Sequence, residues 1–253
     1  MAQLQAKFCK GCWQNLHFPV PLHGPLCIPF RAVGIRPSRM NPNTCTFCEM
    51  MFTRVMKARN ITIDATVLFV DLRGYTTASQ VLASSELAST LDAFYDECAA
   101  AIWEHDGLLN KTIGDSLMAV FNFPIHQNDH PAQAVRAARD MQRRWRGRRA
   151  ALVEGLDLGD DSLCIGIGIC TGDVNFGEFG QSHRDLTAIG TVVNTAARAQ
   201  SAARAGQILV TANVRQRSEG AIHCGDGKHY DLKGLALPIE LFDAAELMNQ
   251  QPM

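Results

Sequence analysis

The sequence predicts an α/β (α+β) chain with a ferredoxin-like βαββαβ core and additional strands, preceded by a small irregular Cys-rich segment able to bind metal. Three observations predict it. β-Branched runs and long helical stripes follow one another in the order β-α-β-β-α-β between residues 66 and 171. Charge is segregated: residues 1–60 hold eight Lys/Arg against one acid, Glu49, giving +7, and the remainder sums to −8. Five of nine Cys and six of ten Pro also precede residue 60.

At 253 residues, 47% hydrophobic and 19% charged, the chain has the composition of one or two folded domains and not of a disordered segment. No run of apolar residues is long enough for a membrane span. The opening MAQLQAKFCKGC has no apolar h-region, so an export signal is not expected and the location expected is cytoplasmic. Nine Cys, an odd number in a reducing compartment, argue against a disulfide framework. Cys98, Cys164, Cys170 and Cys224 lie in apolar periodic segments and read as small buried hydrophobes.

In chain order, residues 1–44 carry six Pro and little periodicity and read as irregular. Residues 45–59 repeat Phe47, Met51 and Val55 every four positions, which predicts a short linking helix over 45–60. TVLFVD (66–71) is a strand ending at Asp71. Ser84 or Ser85 caps a helix with the stripe Leu87, Leu91, Phe94, Cys98 and Ile102, stopped by Gly107. LLNKTI and SLMAVFNF flank Gly114-Asp115 as a hairpin. Asp129 and Pro131 start a second long helix running to about Val153, and LCIGIGICT (163–171) is the fourth core strand. Further strands are expected near 174–179, 207–211, 221–225, 229–232 and 239–243, with a helix at about 191–204.

In this topology the first strand lies beside the hairpin, so Asp71 and Asp115 can reach one edge of the sheet. Two carboxylates at one point repel, and one is driven protonated unless a cation intervenes. A divalent pair such as Mg²⁺ relieves that conflict and clamps the oxygens of an in-line phosphoryl transfer. The bland alternative is that each Asp merely closes a strand or a turn. In LRGYTT after Asp71, Gly74 lets backbone approach a ligand, and the N–H groups that follow, from Tyr75 and Thr76, could hold phosphate oxygens.

With these residues in place, the sequence resembles the catalytic domain of class III nucleotidyl cyclases, the adenylyl/guanylyl cyclase family. The matching segments are LFVDLRGYT (68–76), LNKTIGDSLMAVF (109–121), GIGICTGDVNFGEFG (166–180), DLTAIGTVVNTAAR (185–198) and YDLKG (230–234), in family order. The resemblance implies attack of the ribose 3′-OH of ATP on its own α-phosphate, giving 3′,5′-cyclic AMP and pyrophosphate. It implies that Asp71 and Asp115, with the Leu72 carbonyl, hold two Mg²⁺ or Mn²⁺ ions. Arg198 would stabilise charge on the α-phosphate, Asn194 would orient the ribose and Lys233 would bind the polyphosphate. Lys111 would read the purine, with Lys favouring ATP where Glu favours GTP. The second purine position is Thr187, where many adenylyl cyclases carry Asp; a hydroxyl both donates and accepts, which loosens selectivity. A bacterial subgroup with Thr there resembles bicarbonate-responsive cyclases. Because the family splits these residues between subunits and one chain carries both sets, the resemblance implies a C₂ homodimer with shared sites. The catalytic domain would then cover residues 61–253.

Cys9-Lys-Gly-Cys12 and Cys45-Thr-Phe-Cys48 form two C-x₂-C knuckles separated by 32 residues. Four thiolates suit Zn²⁺ or an iron–sulfur cluster; a redox dithiol pair is the remaining reading. Cys27, His17 and His23 are possible substitutes. The position of the second knuckle, ahead of the linking helix, suggests a sensor for residues 1–44, whose metal or redox state regulates the catalytic domain. Little aromatic interleaving among the basic residues argues against nucleic acid as a partner.

Seven Arg (136, 139, 143, 144, 146, 148 and 149) lie opposite Ala134, Ala138, Met141 and Trp145, which reads as a solvated helix face, not a membrane surface. His126 and His130 resemble a metal pair only in spacing. Two rival readings remain: a metal- or redox-sensing module with a weak or GTP-using cyclase domain, and a diguanylate cyclase, for which no GGDEF-like hairpin is present.

Overall fold

A computed structural model describes residues 6–58, 60–153, 159–179, 185–234 and 237–245. Arg59, at the end of the expected linking helix, lies outside the described residues, as does Gly180. The amino-terminal segment contains α1 (Lys10–Leu16), a 3₁₀ turn at Pro25–Cys27, α2 (Ile28–Ala32) and α3 (Thr46–Ala58). α1, the 3₁₀ turn and α2 stand where the Pro-rich sequence predicts irregular chain, and α3 stands where the linking helix is predicted. Cys9 caps α1, its Sγ accepting from the Cys12 N–H at 3.3 Å, so local thiol chemistry supplies what periodicity does not.

The core follows as β1 (Ile61–Leu72), α4 (Tyr75–Val81), α5 (Ser84–Glu104), β2 (Leu108–Ile113), β3 (Ser116–Phe121), α6 (His130–Val153) and β4 (Ile165–Phe179). Then come β5 (Asp185–Ile189), α7 (Thr191–Ala202), β6 (Ile208–Thr211), α8 (Ala212–Arg217), β7 (Gly227–Tyr230) and β8 (Ile239–Asp243). The sheet runs β2-β3-β1-β4-β6-β8-β7, with β5 on β4. β1 pairs antiparallel with β3 and with β4, which is the ferredoxin-like arrangement, and β4–β6 is parallel.

β1 begins five residues before the predicted strand, and β4 passes unbroken through 172–173, because each is the other's partner along its length. β5 and α8 are additions, and α4 replaces the expected turn after Gly74. Residues 221–225 form no strand: Gly225 donates one hydrogen bond to the Asp243 carbonyl and Ile222 is buried, but no ladder forms. Ala83, not Ser84 or Ser85, caps α5, with its N–H donating to Glu86 Oε2 at 2.9 Å.

The two faces of β1 serve two cores. Leu68, Val70 and Leu72 pack under α5 and α6 with Phe94, Ile102, Met141 and Trp145. Ala65, Val67 and Phe69 face Ala196 of α7. A β-carbon at Gly168 would lie 2.1 Å from the Gln200 nitrogen and 2.4 Å from the Ala196 oxygen, so only glycine lets α7 sit this close to β4.

The Arg row of α6 is partly structural. Arg139 donates to the Ala244 and His223 carbonyls at 2.8 Å, Arg144 pairs with Glu104 at 2.6 Å, and Arg149 Nε donates to the Ser162 carbonyl at 2.6 Å. His130 is buried in a network, not a metal site. Arg217 pairs with both Asp64 oxygens at 2.8 and 2.7 Å and donates to His130 Nε2 at 2.8 Å. Arginine can only donate, so Nε2 is unprotonated and Nδ1–H donates to Thr66 Oγ1 at 2.8 Å, which donates on to Thr171 Oγ1 at 2.9 Å. Burial pushes the His130 pKa below 6.5, with Asp64 opposing and Arg217 reinforcing. An unfolded chain therefore binds the proton first, and stability is lost as pH falls below 6.5, by about 1.4 kcal/mol per unit of depression. Urea unfolding between pH 8 and pH 5 should show this slope, and His130→Gln should flatten it; an equal slope in the variant would assign the loss to other groups.

Candidate active site and four-cysteine centre

Asp71 closes β1 opposite Ser116 of β3 and Gly166 of β4. Its Oδ1 accepts from Ser116 Oγ at 2.6 Å and its Oδ2 from Arg73 at 3.2 Å. Asp115 lies in the β2–β3 turn, with its backbone oxygen accepting from the buried Leu72 N–H at 3.3 Å. Burial, then the charge of Asp71, raises the Asp115 carboxyl above the ordinary range. The carboxylates thus share one sheet end and one electrostatic field, short of positive charge.

Arg73 partly supplies it. Burial lowers its pKa while Asp71 and Asp115 raise it. Its guanidinium also donates to the Gln200 carbonyl near the end of α7 and lies where a Gly166 β-carbon would be 2.4 Å away. Oxygen donors at the end of β1 and in the β2–β3 turn, two carboxylates beside the Arg73 guanidinium, fit a hard divalent ion such as Mg²⁺ or Mn²⁺.

Gly74, left-handed at φ 71°, precedes α4. The first bond of that helix runs from the Ala78 N–H to the Gly74 carbonyl, which leaves the Tyr75 and Thr76 N–H groups outside the helical ladder. Lys111 pairs in register with Met118. Asn110 beside it donates to the Leu186 carbonyl at 3.2 Å and accepts from Thr187 Oγ1 at 3.3 Å, which brings β2 and β5, and so Lys111 and Thr187, together. Asn194 and Arg198 are exposed on one face of α7, and Lys233 is exposed in the turn before Gly234. Among the described residues, no side-chain hydrogen bond or ion pair joins these three to Asp71 or Asp115.

The structure therefore places the predicted residues as two carboxylates at one sheet end, Lys111 and Thr187 on the strands β2 and β5 that Asn110 links, and an outward α7 face. Ser116, Arg73 and Asn110 are participants that sequence reasoning passed over. Each had a signal: Ser116 follows Asp115, Asn110 precedes Lys111, and Arg73 falls two residues after Asp71, in the turn that leaves β1.

Cys9, Cys12, Cys45 and Cys48 are all buried, and their sulfurs lie within 4.8 Å of one another. Cys12 is 3.3 Å from Cys48 and 3.6 Å from Cys45, and Cys9 is 3.6 Å from Cys48. Cys27, His17 and His23 are outside the group. Hydrogen bonds from Cys48 and Cys9 hold the Cys45 thiol down at about 2; burial pushes Cys12 up to about 12, and the bonds to Cys45 raise Cys48 and Cys9. Four buried thiols this close repel one another as thiolates, and a cation among them would let them ionise together. A tetrahedron with metal–sulfur arms of 2.3 Å has edges of about 3.8 Å. The observed spacing fits one ion; a cluster of two or four irons spreads its thiolates over several metal atoms and needs wider separations. Elemental analysis of anaerobically purified protein should give about one metal ion per chain. Two or four irons per chain with broad visible absorption would contradict the single-ion geometry.

Residues 58–242 match the sequence model of the adenylate and guanylate cyclase catalytic domain. An adenylate cyclase of Anabaena cylindrica is 32% identical over 157 residues, covering 59% of this chain and 30% of the relative. One of Mycobacterium bovis is 29% identical over 180 residues, covering 70% of this chain and 39% of the relative, so the chain matches well under half of either relative's length. Among solved structures, the adenylyl cyclase CyaB from P. aeruginosa aligns with a TM-score of 0.69 at 27% identity, covering 77% of this chain and 99% of that one. The guanylyl cyclase Cya2 aligns with a TM-score of 0.67 at 28% identity, covering 75% and 97%.

Proposed function

The chain belongs to the adenylate and guanylate cyclase catalytic-domain family, and from that premise we propose that it is an adenylyl cyclase converting ATP to 3′,5′-cyclic AMP and pyrophosphate at sites shared across a homodimer. One observation carries the reading: the carboxylates Asp71 and Asp115 close one sheet end, while Asn194 and Arg198 point outward from α7 with no partner among the described residues. Two half-sites on one chain are completed by a second copy related by a two-fold axis.

Asp71, Asp115 and the Leu72 carbonyl would hold two Mg²⁺ or Mn²⁺ ions, whose Lewis acidity lowers the pKa of the 3′-OH and offsets phosphate charge. Ser116 keeps Asp71 oriented by donating to Oδ1. Gly74, Tyr75 and Thr76 offer backbone close to the phosphates. Arg198 from the second copy meets charge developing on the α-phosphate, a task suited to a planar guanidinium; Asn194 positions the ribose and Lys233 the polyphosphate. Lys111 donates to adenine N1 and the Thr187 hydroxyl accepts from adenine N6. The likeness to a guanylyl cyclase structure makes GTP the competitor to test.

Residues 1–44 would be the regulatory segment, residues 45–60 the link built on α3 (Thr46–Ala58) and residues 61–253 the catalytic domain. The buried sulfurs of Cys9, Cys12, Cys45 and Cys48 suit Zn²⁺. No helix among the described residues is long and apolar enough to cross a membrane.

Asp71→Ala and Arg198→Ala should each be inactive alone and regain activity when mixed, since one of the two sites in the mixed dimer is intact; no recovery would remove the shared site. In wild type with Mn²⁺, cyclic AMP should exceed cyclic GMP. Lys111→Glu should lower kcat/KM for ATP by roughly 10- to 100-fold, the scale of one charged hydrogen bond, while favouring GTP.

A further inference from the structure

The four-cysteine centre and the strand bearing Lys111 are joined by a short, continuous set of contacts. After α5 the chain turns through His105, Asp106 and Gly107 into β2. Asp106, left-handed at φ 57°, accepts at both carboxylate oxygens: Oδ2 from Lys10 Nζ at 2.5 Å and Oδ1 from Asn43 Nδ2 at 2.8 Å. Lys10 follows Cys9 directly and Asn43 stands two residues before Cys45, so each knuckle sends one side chain to the same carboxylate. The Lys10 N–H donates to the Asn43 carbonyl at 2.9 Å, which ties the two arms together.

The residues beside Asp106 are held from the same side. The Met40 carbonyl accepts from Trp103 Nε1 at 2.9 Å and from the Leu109 N–H at 3.2 Å. Asn41, fully buried, donates to the Gly107 carbonyl at 2.9 Å. With the Leu109 N–H bonded to Met40, the β2–β3 register shifts between Leu109 and Lys111. Asn110 is the residue skipped by that shift, and its side chain holds Leu186 and Thr187. The start of β2 is therefore set by the cysteine segment, and its next two residues are the contact to Thr187 and Lys111 itself. By contrast, among the described residues no hydrogen bond runs from residues 6–58 to Asp71 or Asp115, whose partners are Ser116, Arg73 and Leu72.

We propose that Asp106 is a positioning residue through which the metal-loaded cysteine centre fixes the base-reading pair Lys111 and Thr187. The regulation expected above then acts on nucleotide affinity and on the choice of ATP over GTP, not on the chemistry at the carboxylates. Residues 6–48 bury few apolar side chains beyond the four cysteines, Val20, Pro21, Leu22 and Cys27, so the centre is what keeps Lys10 and Asn43 in place. The inference rests on the cyclase reading for its substrate.

The test uses the full chain with Asp106→Asn, which tolerates the left-handed backbone and removes the charge facing Lys10. Lys10→Met, on the surface side of the same pair, serves if the first variant folds poorly. Metal content should stay at the wild-type level in both. KM for ATP should rise roughly five- to tenfold and the ATP:GTP ratio of kcat/KM should fall, with kcat at saturating ATP within about twofold. Unchanged KM and ratio with metal retained would overturn the proposal, as would a fall in kcat at constant KM. Hydrogen exchange over residues 103–113 separates this from the cyclase reading. If wild type forms no cyclic nucleotide, that reading fails, yet faster exchange there after chelator treatment still supports the clamp. Unchanged exchange would sink it.

Discussion

The ladder between β1 and β4 is the constraint on which the molecule depends. It pairs Ile61 through Leu72 with Phe176 through Ile165, while β3 pairs with the other edge of β1 from Thr66 to Asp71. A central strand fixed on both sides leaves its residues no freedom of register, and a slip of one would send Asp71 to the face under α5 and α6. From that ladder follow the place of the two carboxylates at the sheet end, the place of Gly168 under α7, and hence the outward direction of Asn194 and Arg198.

Unbalanced charge recurs at the functional positions. Asp115 is raised beside Asp71 with Arg73 as the cation at hand, and the cysteine cluster holds one low-pKa thiol among three raised ones. Buried like charges are costly unless a counter-ion answers them. His130 shows the opposite case: its hydrogen bonds are all met by Arg217 and Thr66, and it calls for no ligand. Satisfied polar burial is architecture, and unmet polar burial points to chemistry.

Much of the fold was legible because periodicity survives in the sequence. The stripe Phe94–Cys98–Ile102 and the stripe Ala134–Ala138–Met141–Trp145 mark α5 and α6, whose buried faces meet the sheet. β5, α4 and α8 were not legible, being five to seven residues long and dependent on neighbours for their stability. At the site, Asp71, Asp115 and the α7 residues carried strong signals of type and spacing. Arg73, Ser116 and Asn110 are ordinary polar residues whose significance lies in what they touch.

By itself the sequence determined the element order, the resemblance to the cyclase family and the two C-x₂-C knuckles, because residue type and local spacing suffice for these. Only the tertiary structure decided that the knuckles, 32 residues apart, close into one cluster of sulfurs, and that both lean on Asp106 at the entrance to β2. Those contacts span 39 residues within the cluster and 96 from Lys10 to Asp106, and no local pattern encodes them. They arise from tertiary packing, which brings together residues far apart along the chain against the entropy of closing the loops between them.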